Sequence, residues 1–175
     1  FLREALGWVL YILLIIGITY LIITYIGQRT KVDGHSMEPT LSDGDNLIVD
    51  KLSYRFRDPE RYDIIVFPYK YQENTYYIKR IIGLPGETVQ VKNGEVYING
   101  ELLGETYGAE SMTNSGIAEE PITLGENEYF VLGDNRNHSS DSRDPSVGIL
   151  TRDDLIGRAW VRIFPFNKIG VIRHE

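Results

Sequence analysis

The strongest constraint on this chain is an uncharged run of 21 residues, Gly7 to Gly27. As a helix the run would reach ~31 Å, close to the ~30 Å hydrocarbon core of a bilayer. Trp8 and Tyr11 stand near one end and Tyr20 and Tyr25 near the other, where interfacial aromatics settle. A buried core helix would show one polar stripe, and this run shows none. A cleavable leader has a shorter apolar stretch of ~7–15 residues. The following Gln28-Arg29-Thr30-Lys31 also lacks a pair of small residues spaced for cleavage. Residues 1–28 therefore read as a retained anchor with a spanning helix over about 7–27. Orientation is weakly encoded. Arg3 and Glu4 cancel before the run and Arg29 and Lys31 follow it, so charge bias alone places the rest of the chain in the cytoplasm.

Residues 29–175 read as one β-rich domain. Leu47-Ile48-Val49 follows the turn signal Ser42-Asp43-Gly44-Asp45, and Ile64-Ile65-Val66-Phe67 is a buried-type strand stopped by Pro68. Tyr76 to Ile82 is a further strand, closed by Gly83-Leu84-Pro85-Gly86. Val89 and Val91 alternate with polar residues, Asn93-Gly94 turns, and Val96 and Ile98 return, which is a hairpin signature. Strands are also expected over 128–132 and 158–164, with a capped helical turn at Thr151 to Leu155. Residues 104–120, rich in Gly, Ser, Thr, Asn and Glu, read as a mobile surface loop. The expected fold class is mainly β: an antiparallel sheet domain behind one amino-terminal transmembrane helix. With no cysteine, disulfides and thiolate metal sites are excluded, and a net charge of −7 argues against a nucleic-acid partner.

Three segments carry candidate chemistry. Gly34-His35-Ser36-Met37-Glu38-Pro39-Thr40 places a serine in a tight loop just past the anchor, although a loop serine alone is usually a turn residue. In Tyr77-Ile78-Lys79-Arg80-Ile81-Ile82, strand alternation puts Lys79 with Tyr77 and Ile81, and Arg80 with Ile78 and Ile82. Exposed lysine is the commoner case. If buried, the amine loses water and its pKa drops by ~3 units, enough to accept a serine proton. The third segment, Gly133 to Asp144, is dense in Asp, Asn, Arg and Ser, and reads either as a solvated loop or as an ordered network. Asp134, His138 and Asp141 could be metal ligands, but no partner cluster accompanies them, and neither metal nor cofactor is expected.

Taken together these segments resemble the type I signal peptidases of the small Gram-positive kind. The Ser36 to Thr40 run is similar to that family's nucleophile box. Tyr77 to Gly86 is similar to its lysine box, and Gly133-Asp134-Asn135-Arg136 with Ser140-Asp141-Ser142-Arg143 to its third box. The resemblance implies an antiparallel β protease domain that removes signal peptides from secretory preproteins, on the extracytoplasmic side of the cell membrane. It further implies Ser36 as nucleophile, Lys79 as general base, Ser139 and less directly Asp141 as base-orienting groups, and Arg80 and Arg143 as members of a structural network. The backbone N–H of Ser36 would stabilise the oxyanion. Some relatives add a serine hydroxyl where this chain has Gly34, and Asn137-His138 departs from the more usual Asp-Asn.

Other readings are a Ser36–His138 triad with Asp134 or Asp141, which leaves Lys79 unexplained, a non-catalytic tethered β domain that binds extracytoplasmic partners, and a self-cleaving repressor, which would carry a DNA-binding head. Trp160, Phe164 and Phe166 beside Pro165 are candidates for lipid contact or core.

Overall fold

The computed structural model describes residues 2–21, 27–105, 107, 108 and 110–174. Helix α1 (Leu2–Leu21) contains a stretch, Glu4–Leu21, whose mean hydropathy is 1.9 and of which none is buried. It is apolar all round, as the missing polar stripe requires, and fits membrane anchoring. The helix is already formed at Leu2, because nothing in the first turns breaks it, and Gly27 opens a strand. Residues 22–26 of the expected span lie outside the described residues.

Among the described residues twelve strands follow, every pairing antiparallel. They are β1 (Gly27–Lys31), β2 (Asn46–Asp50), β3 (Ile64–Pro68), β4 (Tyr76–Gly83), β5 (Thr88–Lys92), β6 (Glu95–Ile98), β7 (Glu101–Leu102), β8 (Ile122–Thr123), β9 (Glu128–Leu132), β10 (Leu150–Thr151), β11 (Gly157–Phe164) and β12 (Gly170–Val171). The large sheet runs β1-β2-β11-β3-β4-β9-β10, with β12 on β11, and a smaller sheet runs β7-β6-β5-β8. The β5–β6 hairpin turns at Asn93 and Gly94, both at positive φ, as Asn-Gly favours.

Alternation sorts the apolar side chains into three clusters. Ile64, Val66 and Ile78 face one cluster with Met37, Leu41, Leu47 and Val49. Ile65, Phe67, Ile81, Tyr129 and Val131 face a second. Ile82, Phe130 and Leu132 join Val89, Val91, Val96 and Ile98 of the smaller sheet in a third. Strand β4 therefore touches all three clusters and is buried from Ile78 to Gly83.

Residues 104–120 are more firmly attached than a loose surface loop. Met112 and Ala118 are buried in the third cluster, and Gly116–Glu119 forms a 3₁₀ turn. The Asn137 carboxamide oxygen accepts from the Thr113 N–H at 2.9 Å. Composition marked the segment as polar, but two of its apolar residues, Met112 and Ala118, supply the attachment. The expected turn at Thr151 is a 3₁₀ segment, Arg152–Asp154, with Thr151 and Asp154 forming a capping box.

Candidate active site

Ser36 lies in a turn that the chain enters through Gly34 at φ +95°, a conformation that favours glycine. Met37 and Leu41 sink into the first core cluster and fix the loop from below. From the side, Asn135 N–H donates to the Ser36 carbonyl at 3.0 Å and its carboxamide donates to the His35 carbonyl at 3.1 Å. The close approach of these two loops requires Gly133. A Cβ there would stand 2.2 Å from Ser139 Oγ and 2.5 Å from the Ser36 carbonyl oxygen.

Lys79 is 3% exposed, and Tyr77 and Ile81 lie on its side of β4. Its Nζ donates to Ser36 Oγ at 2.9 Å and to the Ile78 carbonyl at 3.0 Å, and stands 5.0 Å from the centre of the Tyr77 ring. Burial pulls its pKa down from 10.5 to about 8, although the charges of Asp141 and Asp134 push the other way. Neither carboxylate is free to pair with it. Asp141 binds Arg143 through both oxygens, each at 2.9 Å, and accepts from the Gly133 N–H at 3.1 Å. Asp134 takes two bonds from Arg80, at 2.8 and 2.7 Å, and one from the Thr40 hydroxyl at 2.5 Å.

Arg80 is 1% exposed and points away from Lys79, into the seam between the clusters of Ile78 and Ile82. Its remaining N–H groups reach the carbonyls of Tyr62 and His174, and its guanidinium lies 3.8 Å from the Tyr107 ring centre. Arg143 also donates to the carbonyls of Asn114, at 3.0 Å, and Arg136. The third segment is thus an ordered network rather than a solvated loop.

The structure does not place Ser139 on the lysine. Its Oγ is buried and has no hydrogen-bond partner among the described residues, while the Lys79 amine is occupied by Ser36 and Ile78. His138 lines the cleft but is exposed, and makes no side-chain hydrogen bond to Ser36, Asp134 or Asp141 among the described residues. His35 is likewise exposed and pairs with Glu38 at 2.9 Å, which raises its pKa. The Gly34 N–H is taken by the Asp43 carboxylate at 3.0 Å, so it is not a spare oxyanion donor. No group of three or more His, Cys, Asp or Glu side chains among the described residues is arranged to hold a metal.

Two features were not singled out by sequence reasoning. Arg136 is buried, donates to the Gly133 carbonyl and pairs with Glu105, which pins the third segment to the 104–120 region. Thr40 bridges the serine loop to Asp134. Both lie inside segments that stood out, Arg136 in Gly133–Arg136 and Thr40 at the close of the serine run, and that position is the signal that could have found them.

Ser36 and Lys79 open into a cleft of about 300 Å³ whose lining includes Val32, Met37, Ile78, Tyr77, His138 and Ser140. A seryl hydroxyl bonded to a buried, low-pKa amine in a cleft defines a candidate serine hydrolase. The sequence model of the family described as signal peptidase, peptidase S26, matches residues 5–164. A probable signal peptidase I-2 from Synechocystis sp. is 41% identical over 169 residues, covering 94% of this chain and 73% of that protein. A signal peptidase I from Bacillus amyloliquefaciens is 37% identical over 173 residues, covering 95% and 91%. A crystal structure of a signal peptidase I from Enterococcus faecalis V583 is 36% identical, covers 58% of this chain and 97% of that one, and superposes with a TM-score of 0.49. The chain belongs to the signal peptidase family, peptidase S26, and is a peptidase.

Proposed function

We propose that this protein removes signal peptides from exported preproteins, using Ser36 as nucleophile and Lys79 as general base, through an acyl-enzyme. The observation that carries the reading is the 2.9 Å contact between Lys79 Nζ and Ser36 Oγ inside a buried, low-pKa site. The neutral amine takes the hydroxyl proton as Oγ adds to the carbonyl carbon of the scissile bond. The resulting ammonium gives that proton to the departing amine. Water then enters and loses a proton to Lys79 as its oxygen adds to the ester carbonyl, and the Lys79 ammonium returns a proton to Ser36 Oγ as the signal peptide leaves with a free carboxyl end. The Ser36 N–H supplies one oxyanion donor, with the second outside Gly34.

Asp141 acts through the loop, by holding Arg143 and the Gly133 N–H, and not by touching Lys79. Ser139 orients the amine by rotating its free hydroxyl toward it when Ser36 is acylated and no longer accepts the Lys79 bond. The catalytic domain lies on the extracytoplasmic side, where cleared signal peptides emerge, and α1 holds it at the bilayer. Exposed Trp160, Phe164 and Phe166 on β11 and the segment after it rest against lipid.

The test is cleavage of a secretory precursor by detergent-solubilised protein, with and without Ser36→Ala. Release of a shortened product by the wild type and none by Ser36→Ala supports the reading. Equal cleavage by both overturns it. Protease added outside intact cells or spheroplasts should digest the domain, and protection until lysis would reverse the topology.

A further inference from the structure

Residues 172–174 are tied at separate points to elements that also hold the site. Ile172 is 5% exposed and packs in the cluster that contains Met37 and Leu41, the two residues that seat the Ser36 loop. Its N–H donates to the Trp160 carbonyl at 2.8 Å. Arg173 faces out, and His174 turns back in. The His174 ring accepts the Ile64 N–H on Nδ1 at 2.9 Å and is also engaged by the backbone of Ala159. Its carbonyl accepts from Arg80 at 3.0 Å. Arg80 in turn holds Asp134, Asp134 holds the Thr40 hydroxyl, and the next residue, Asn135, holds the Ser36 carbonyl. The links in that path are hydrogen bonds between buried or half-buried groups and one step along the chain, from Asp134 to Asn135, so little slack is available along it.

We propose that residues 172–174 form a clasp that positions the Ser36 loop, with His174 a positioning residue that acts through Arg80 and through the core cluster that Ile172 shares with Met37 and Leu41. The proposal rests on the reading of Ser36 and Lys79 as the reacting pair and adds the segment that sets their distance.

Histidine suits the position because one ring nitrogen must accept while the ring stays uncharged. A protonated ring would turn an N–H toward the Ile64 N–H and leave that donor buried without an acceptor. The charged groups that face the ring are Asp63, 3.9 Å away, with Arg158 and Arg80. Asp63 is itself committed to Arg57 and to the Tyr54 hydroxyl, each at 3.0 Å. Burial, then Arg158, lower the ring's pKa to about 4 against the pull of Asp63. A folded pKa below the unfolded value of ~6.5 means the clasp contributes its full stability above ~6.5 and loses it as pH falls through about 4. The clasp is therefore shut at neutral pH.

The experiment compares His174→Ala and His174→Asn in the full chain in detergent. The Asn side-chain oxygen replaces the Nδ1 acceptor and does not titrate. Two readouts are taken: kcat and KM on a precursor peptide, and amide hydrogen exchange of residues 34–41. In His174→Ala, kcat should fall ~10- to 100-fold with KM changed less than about 2-fold, as misplacement of reacting groups does. Exchange over 34–41 should quicken. His174→Asn should restore both. If His174→Ala keeps kcat and exchange, or if His174→Asn fails to restore them, the clasp is refuted. Should His174→Ala not fold, as judged by circular dichroism, His174→Asn decides alone: wild-type kcat and exchange support the clasp, and loss of either refutes it. Exchange needs no substrate. If it depends on His174 as described while no form cleaves precursor, the clasp stands and the proteolytic reading falls.

Discussion

The two faces of β4 carry neighbouring cations with opposite fates. Lys79 and Arg80 are 3% and 1% exposed, so both charges have lost their water. Arg80 recovers the loss. It forms a bidentate pair with Asp134, bonds two backbone carbonyls and lies against Tyr107. Lys79 recovers little. It meets a hydroxyl, a carbonyl and the face of the Tyr77 ring, none of them a counter-ion, and the nearest carboxylates are bound to arginines. The same burial thus makes one cation a permanent strut and the other an amine with a pKa of about 8. What separates them is the presence of a counter-ion, and the chain places both aspartates on arginines to keep them off the lysine.

The largest expected effect comes from removing either member of the proposed Ser36–Lys79 pair. Ser36→Ala and Lys79→Ala should each lower kcat by on the order of 10⁴-fold or more, with the double variant scarcely worse than either. Lys79→Arg should be as inactive as Lys79→Ala, since a guanidinium does not give up its proton. Single-turnover kinetics on a precursor peptide would check this, and near-normal activity in Lys79→Ala would return the base to His138.

Breaking the strut should cost stability first. Asp134→Asn leaves Arg80 buried without its counter-ion and should destabilise the domain by about 3–5 kcal/mol. Denaturant unfolding of the solubilised protein measures it. A loss below 1 kcal/mol would mean that Tyr62, His174 and Tyr107 satisfy Arg80 on their own.

The opposite sign is expected on the other face. Lys79→Met removes a buried charge whose pKa has fallen from 10.5 to about 8, so the variant should be more stable at pH 7 by up to about 3 kcal/mol. Because the folded pKa is the lower one, the wild type's penalty is full below about 8 and gone above 10.5. The advantage of Lys79→Met should therefore shrink across that window. A pH-independent difference would show that packing, not charge, is responsible.

The smallest effect is at the ring beneath Arg80. Tyr107→Leu should cost about 1 kcal/mol of stability through the lost cation–π contact. Activity should change little, as the Lys79 face is untouched.

Much of this contrast was legible in the sequence. Strand alternation alone separates Lys79 from Arg80, and Asn93-Gly94 alone gives the hairpin of the smaller sheet, because period and turn chemistry are local. The start of α1 was less legible: an uncharged run marks what lipid tolerates, not where the helix begins. The seating of residues 104–120 was hidden as well, since Glu105 meets Arg136 and Tyr107 meets Arg80 across 31 and 27 positions. His174 bonds Ile64 across 110. No local pattern records such pairings. The free Ser139 hydroxyl was also beyond a sequence reading, as it depends on which groups the lysine amine has already met.

The most direct test of the contrast is the pH dependence of kcat/KM on a peptide substrate, which reports the base in the free enzyme. A buried lysine without a counter-ion gives activity that rises with pH through a midpoint near its pKa of about 8. The midpoint should be unmoved in His138→Ala. A midpoint near ~10.4, the value of a solvated lysine, or one near ~6.5 that vanishes in His138→Ala, would contradict the assignment of Lys79 as the base.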